Sequence, residues 1–176
     1  MTEWQRATWI LFHTLALNYN DQYKAEYVNF FDSLKTTIPC KICRNHYTEN
    51  INKEHLSFDN NINPERIFNW TVDLHNEVNR MTHKGIWSYD DARNFYTRYN
   101  FHNGVLKFVI LQYVRANFRK GHEKTEGLFR MLRSLVYLHP DEDRRNKLIG
   151  FKEKFELNRE TTRNWLLAIL MIIKGT

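Results

Sequence analysis

Cys40 and Cys43 are the only two cysteines in this 176-residue chain, and they stand in Pro39-Cys-Lys-Ile-Cys-Arg44. A Cys-x-x-Cys at the start of a helix has a chemical use. The unpaired N–H groups and the positive end of the helix dipole stabilise a thiolate. A free thiol with pKa about 8.5 is only about 3% ionised at pH 7, and lowering it to about 7 makes it half ionised. The two-residue spacing also lets the sulfurs close into a disulfide, and Lys41 and Arg44 add positive charge beside them. Two other readings stand next to a redox pair. Cys40, Cys43 and His46 could be part of a zinc site, although the other histidines lack the H-x3–5-H spacing and there is no second cysteine pair. They could also be two ordinary buried cysteines. A thioredoxin-like unit would need a βαβ pattern, and none is visible.

A second group of polar residues lies between Ile67 and Lys84. Ile67, Thr71, Leu74 and Val78 fall on one helical stripe, and Phe68, Val72, His75 and Asn79 on the neighbouring one. An imidazole and an amide therefore sit one turn apart beside the core, with Asn76 adjacent. Buried polar groups need partners. His75 alone would be a satisfied core histidine, and the asparagines could bond to loops. Taken together and followed by Lys84, they fit a polar ligand carrying an adenine and phosphates.

The elements that must position these residues read as helices. Residues 5–19 carry Arg6, Trp9 and His13 on one face, and residues 22–36 carry an aromatic stripe of Tyr23, Tyr27, Phe30, Phe31 and Leu34. Pro39 introduces a third helix near Cys40, and residues 51–63 read as a polar loop. Asn63-Pro64 reads as the start of a helix ending near Met81. Ser88, with Asp90 and Asp91 behind it, caps a short fifth helix ending near Tyr99. Further helices are expected over 105–118 and 124–138, after Asp141 and after Asn158. No alternating pattern supports a strand, so the fold class is all-α.

Bulk composition narrows the classes. Hydrophobic residues make up 42% and aromatics 15%, enough for a packed core, and two cysteines are too few for a disulfide-stapled scaffold. The N-terminus shows neither a signal nor a transit pattern. The most apolar run, Trp165 to Ile173, is far short of the roughly 20 residues that span a bilayer. The net charge of +6 is uneven: residues 1–100 hold 11 Lys and Arg against 12 Asp and Glu, residues 101–176 hold 15 against 8. A boundary is expected in Tyr99–Gly104, dividing the chain into 1–100 and a basic helical domain 101–176. Solvated helix faces account for that basic excess better than nucleic acid, for which no motif is present.

Three stretches in register, RATWILFHTLALNY, IPCKIC and WTVDLHNEVNR, resemble the Erv/ALR family of FAD-linked sulfhydryl oxidases over roughly residues 4–99. The resemblance implies a four-helix bundle plus a short fifth helix that holds FAD, followed by the additional helical domain. It implies that Cys43 abuts the flavin and that Cys40 meets the substrate thiolate. Arg6, Trp9 and His13 on the first helix, and His75, Asn76, Val78, Asn79 and Lys84 on and after the fourth, take family positions around FAD. Tyr47, one turn below Cys43, faces the same pocket or simply packs in the core, and Tyr96 or Trp87 closes the adenine end. The implied activity makes disulfides in a dithiol protein, thioredoxin-like in one reading, and passes electrons to molecular oxygen, giving hydrogen peroxide. Homodimers through the first two helices are common in the family. Cellular members carry extra cysteines; their absence here resembles small viral members, which implies a large DNA virus and action in host cytoplasm or virion, without a membrane.

Overall fold

In the computed structural model the described residues, 1–118 and 122–175, hold nine helices longer than one turn and no strand. The helix α1 (Glu3–Leu17) is central. It buries residues on most of its circumference, including Leu11, Phe12, His13 and Leu15, because three helices surround it: α4 (Ile67–Met81), α5 (Tyr89–Tyr99) and α6 (Asn103–Asn117). The aromatic stripe of α2 (Lys24–Thr37) closes the core from another side, with Phe30, Phe31 and Leu34 fully buried. Phe12 meets both phenylalanines edge-on, at 5.9 and 5.5 Å. The short α3 (Lys41–Ile51) leans on α2 and α4.

The local signals are used largely as expected. Cys40 is the N-cap of α3, and Ser88 caps α5 by accepting from the Asp91 N–H. Asn63-Pro64 instead forms the turn ahead of α4. The Arg66 N–H closes onto the Asn63 side chain and the Ile67 N–H onto its carbonyl, both at 3.0 Å, so the helix starts three residues later than its cap pattern implies. The segment expected as a polar loop holds a 3₁₀ turn at Glu54–Leu56 and a helical turn at Phe58–Asn61. Within it Leu56 and Ile62 are completely buried, and the Trp70 indole N–H donates to the Leu56 carbonyl at 2.9 Å. Isolated apolar residues in a polar stretch give no periodicity, so nothing in the sequence marks this segment as part of the core.

Asn100 takes φ +51 and ends α5, and the chain turns into α6. The buried apolar cluster continues across this point. The helix α7 (His122–Leu135) lies along α2. Close approach there depends on Gly127, where a Cβ would collide with Thr36 Oγ1. Asp32 pairs with Arg130 at 2.7 Å, and the Asn117 amide donates to the Thr37 carbonyl at 2.6 Å. The last two helices, α8 (Glu142–Lys154) and α9 (Thr162–Lys174), pack on one another, with α9 also touching α6. No helix among the described residues is long and apolar enough to cross a membrane.

Candidate functional site

Cys40 and Cys43 are joined in a disulfide, with Cα atoms 5.2 Å apart. The N-cap geometry of α3 gives each sulfur a different setting. Cys40 Sγ accepts from the Cys43 N–H at 3.2 Å, so the helix start supplies it a fixed donor. Cys43 Sγ lies 3.7 Å from the Gln5 side-chain nitrogen. The Gln5 oxygen accepts from the Thr2 N–H at 2.8 Å, which turns the amide nitrogen toward the sulfur. Below the pair, the buried Arg44 guanidinium donates to the Ile38 carbonyl and braces the loop that carries Pro39.

One cavity opens beside this disulfide, and a second adjoins the first. The larger, about 350 Å³, is lined by Cys43, Trp9, Tyr47, His75, Val78, Asn79 and Lys84 among the expected residues. The smaller, about 220 Å³, is lined by Arg6, Trp9, His75, Asn79, Lys84, Trp87 and Tyr96. Trp9, His75, Asn79 and Lys84 belong to both, so the two spaces share one wall. The Trp9 indole stacks on the His75 ring at 4.0 Å with only 4° between planes, making a flat double layer.

The expected residues take different positions around these cavities. His13 lines neither cavity and is fully buried behind His75. Its Nδ1 is 2.9 Å from Thr71 Oγ1, and that hydroxyl donates to the Phe68 carbonyl at 2.7 Å. The threonine oxygen is thus left to accept, which assigns the His13 proton to Nδ1. His13 Nε2 then accepts from His75 Nδ1, 3.1 Å away, which leaves His13 neutral. Burial pulls His13 well below the ordinary imidazole range, and repulsion from a protonated His75 adds to it. Burial, followed by the Lys84 charge, lowers His75 to about 4.

This relay carries a pH prediction. Unfolded histidines take up protons near pH 6.5, before the folded ones do, so the folded state is favoured above that pH and loses stability as pH falls from about 6.5 toward about 4. A melting series over that range should show the loss, at up to about 1.4 kcal/mol per pH unit for each histidine. His75→Gln should flatten the slope; an unchanged slope would contradict the neutral relay.

Asn76 also lines neither cavity. Its amide donates to the Trp87 carbonyl and accepts from the Trp87 N–H, both at 2.9 Å. Asn79 donates to the Gly85 carbonyl at 3.1 Å. The two asparagines thereby hold the segment that carries Lys84 and Trp87 against α4. The Tyr96 ring stacks on His13 at 4.0 Å, and Arg6 donates to the Tyr99 hydroxyl at 3.0 Å. Tyr47 is buried and spends its hydroxyl on the Phe31 carbonyl at 2.8 Å.

Sequence reasoning missed Gln5, Thr8 and Tyr113, all of which line the larger cavity. Only Gln5 left a trace, since Thr2-x-x-Gln5 is a capping-box pattern. The zinc reading is not supported. His46 lines the larger cavity, and no group of three His, Cys, Asp or Glu able to hold a metal occurs among the described residues.

The donor set suits a flat heteroaromatic ligand with an anionic tail. Aromatic layers form the shared wall, Lys84 and Arg6 supply positive charge, and the Thr8 and Tyr113 hydroxyls are buried without a hydrogen-bond partner. FAD fits this description.

Comparison with known proteins agrees. Residues 6–105 match the model of the Erv1 / Alr family. The chain is 33% identical over 94 residues to a probable FAD-linked sulfhydryl oxidase of Acanthamoeba polyphaga mimivirus, covering 51% of this chain and 66% of that protein. It is 31% identical over 126 residues to an FAD-linked sulfhydryl oxidase of African swine fever virus, covering 67% of this chain and 94% of that protein. No solved structure matches it.

Proposed function

This chain belongs to the Erv1/Alr family, and from that premise we propose that it is an FAD-linked sulfhydryl oxidase that makes disulfides in dithiol proteins. The observation that carries the reading is the asymmetry of the disulfide. Cys43 stands in the wall of the cavity built by Trp9, His75 and Asn79, and Cys40 does not.

The chemistry of the chain follows from that asymmetry. A substrate thiolate attacks Cys40 Sγ, and the Cys40–Cys43 bond breaks with Cys43 leaving as thiolate. The Gln5 amide beside Cys43 Sγ favours the leaving thiolate, because a donor stabilises the charged form. The substrate's second thiolate then attacks the mixed disulfide and releases Cys40, whose sulfur keeps the Cys43 N–H as its donor. The substrate has lost two electrons and two protons, and the protein holds a dithiol. Bound FAD would supply the two-electron acceptor for that dithiol and the route from it to molecular oxygen, with hydrogen peroxide as the product. Trp9, His75, Asn79, Lys84, Arg6 and Tyr96 would hold it.

Ile42, between the two cysteines, is 66% exposed and offers an apolar contact for an incoming protein. A homodimer through α1 and α2 would have to displace α6 and α7, which cover those helices here, so we place any self-association on another face. The viral relatives support a viral origin, from which we propose action in host cytoplasm or virion. Oxygen uptake with a dithiol substrate tests the activity: one hydrogen peroxide should appear for each disulfide formed. Disulfide formation without peroxide would refute oxygen as the acceptor.

A further inference from the structure

The family match ends at residue 105, yet the wall of the larger cavity does not. Tyr113, on α6, lines it beside Cys43. The position is fixed by packing. Leu106, Val109, Ile110 and Tyr113 form the buried stripe of α6, and Asn117, one turn further, ties the helix end to α2 through the Thr37 carbonyl at 2.6 Å. Tyr113 is 1% exposed, and its hydroxyl has no hydrogen-bond partner.

A buried phenol without a partner is costly, and native structures rarely keep one without a reason. The Thr8 hydroxyl interacts with it, but neither group makes a hydrogen bond of good geometry. Tyr47, close to Tyr113, is already committed to the Phe31 carbonyl. Burial raises the Tyr113 phenol above its ordinary range, so the hydroxyl stays protonated and can donate. Tyr113 itself lines the cavity, so a ligand seated there lies beside the residue whose hydroxyl is unsatisfied.

We propose that Tyr113 is a cofactor-binding residue contributed by the C-terminal addition, its hydroxyl hydrogen-bonding the ring portion of FAD beside Cys43. This rests on the FAD-linked reading above. It gives α6, beyond the family match, a part in the redox site through one residue of the cavity wall. A tyrosine kept only for packing would serve as well without its oxygen.

Tyr113→Phe separates the two roles, because it removes the oxygen and keeps the ring. In the FAD-free protein the substitution should leave the melting temperature unchanged or raise it, since an unsatisfied buried hydroxyl is gone. In the FAD-loaded protein the melting temperature should fall relative to the parent. FAD should dissociate about tenfold more readily, and the visible absorption of bound flavin should shift. Thr8→Val is the companion, expected to weaken FAD in the same direction. A parent protein that binds no FAD would overturn the underlying reading as well. A parent that binds it, with a Tyr113→Phe variant of equal affinity and identical spectrum, would overturn only the assignment of Tyr113. Equal destabilisation with and without FAD would also overturn it, as the mark of a structural role.

Discussion

Cys43→Ser is expected to abolish oxidation of dithiols while leaving FAD bound. The serine oxygen cannot form the disulfide that a substrate thiolate must attack, so the electron path from substrate to cavity is cut at its last sulfur. Residues that act as a unit in covalent chemistry lose nearly everything when one is removed, and a fall of about 10³-fold or more in turnover is expected. The contacts proposed for FAD are with Trp9, His75, Asn79 and Lys84, whereas the hydrogen bonds of Cys43 run to Gln5 and Cys40. Cofactor content, read from the visible spectrum, should therefore stay near the parent's. Cys40→Ser should also stop turnover with protein dithiols, but for a different reason: the sulfur proposed to meet the substrate thiolate is gone. Native turnover by the Cys43→Ser protein would show that the sulfur in the cavity wall is not part of the path.

Trp9→Ala should have the largest effect on cofactor binding. Trp9 lines both cavities and forms a flat layer with His75, with ring centroids 4.0 Å apart. Stacking on an aromatic face is worth about 1–3 kcal/mol per base, which corresponds to a loss in FAD affinity of about 5- to 150-fold. Trp9 also meets Phe12 edge-on at 5.7 Å, so some stability will be lost with it. Trp9→Phe controls for that, because it keeps an aromatic face and should bind FAD more tightly than the alanine variant. Circular dichroism should show both variants folded. Unchanged FAD affinity in a folded Trp9→Ala protein would remove the shared wall from the binding site.

Much of this arrangement is legible in the amino-acid sequence, for identifiable reasons. Helical spacing brings Arg6, Trp9 and His13 to one stripe, and Pro39 with Cys40 marks a helix start, because those are properties of a single element. What spacing cannot give is the partner across the element. Asn76 and Asn79 share a face with His75, yet their amides turn to the backbone of Trp87 and Gly85, which a helical wheel does not reveal. His13 reads as a residue near the flavin, and its links to Thr71 and His75 across the bundle are invisible in the sequence. Gln5 and Tyr113 reach the cavity from distant parts of the chain, 108 positions apart. Each looks like an ordinary helix residue until α6 packs against α1.

The claim on which the rest depends is that the Cys43 sulfur hands electrons to FAD. Anaerobic titration of the FAD-loaded protein with a dithiol tests it most directly. Loss of the yellow absorption with no oxygen present, complete near two dithiols per flavin, is the predicted result: one equivalent reduces the Cys40–Cys43 disulfide and the second reduces the flavin. A dithiol that opens the disulfide while the flavin stays oxidised would contradict the account.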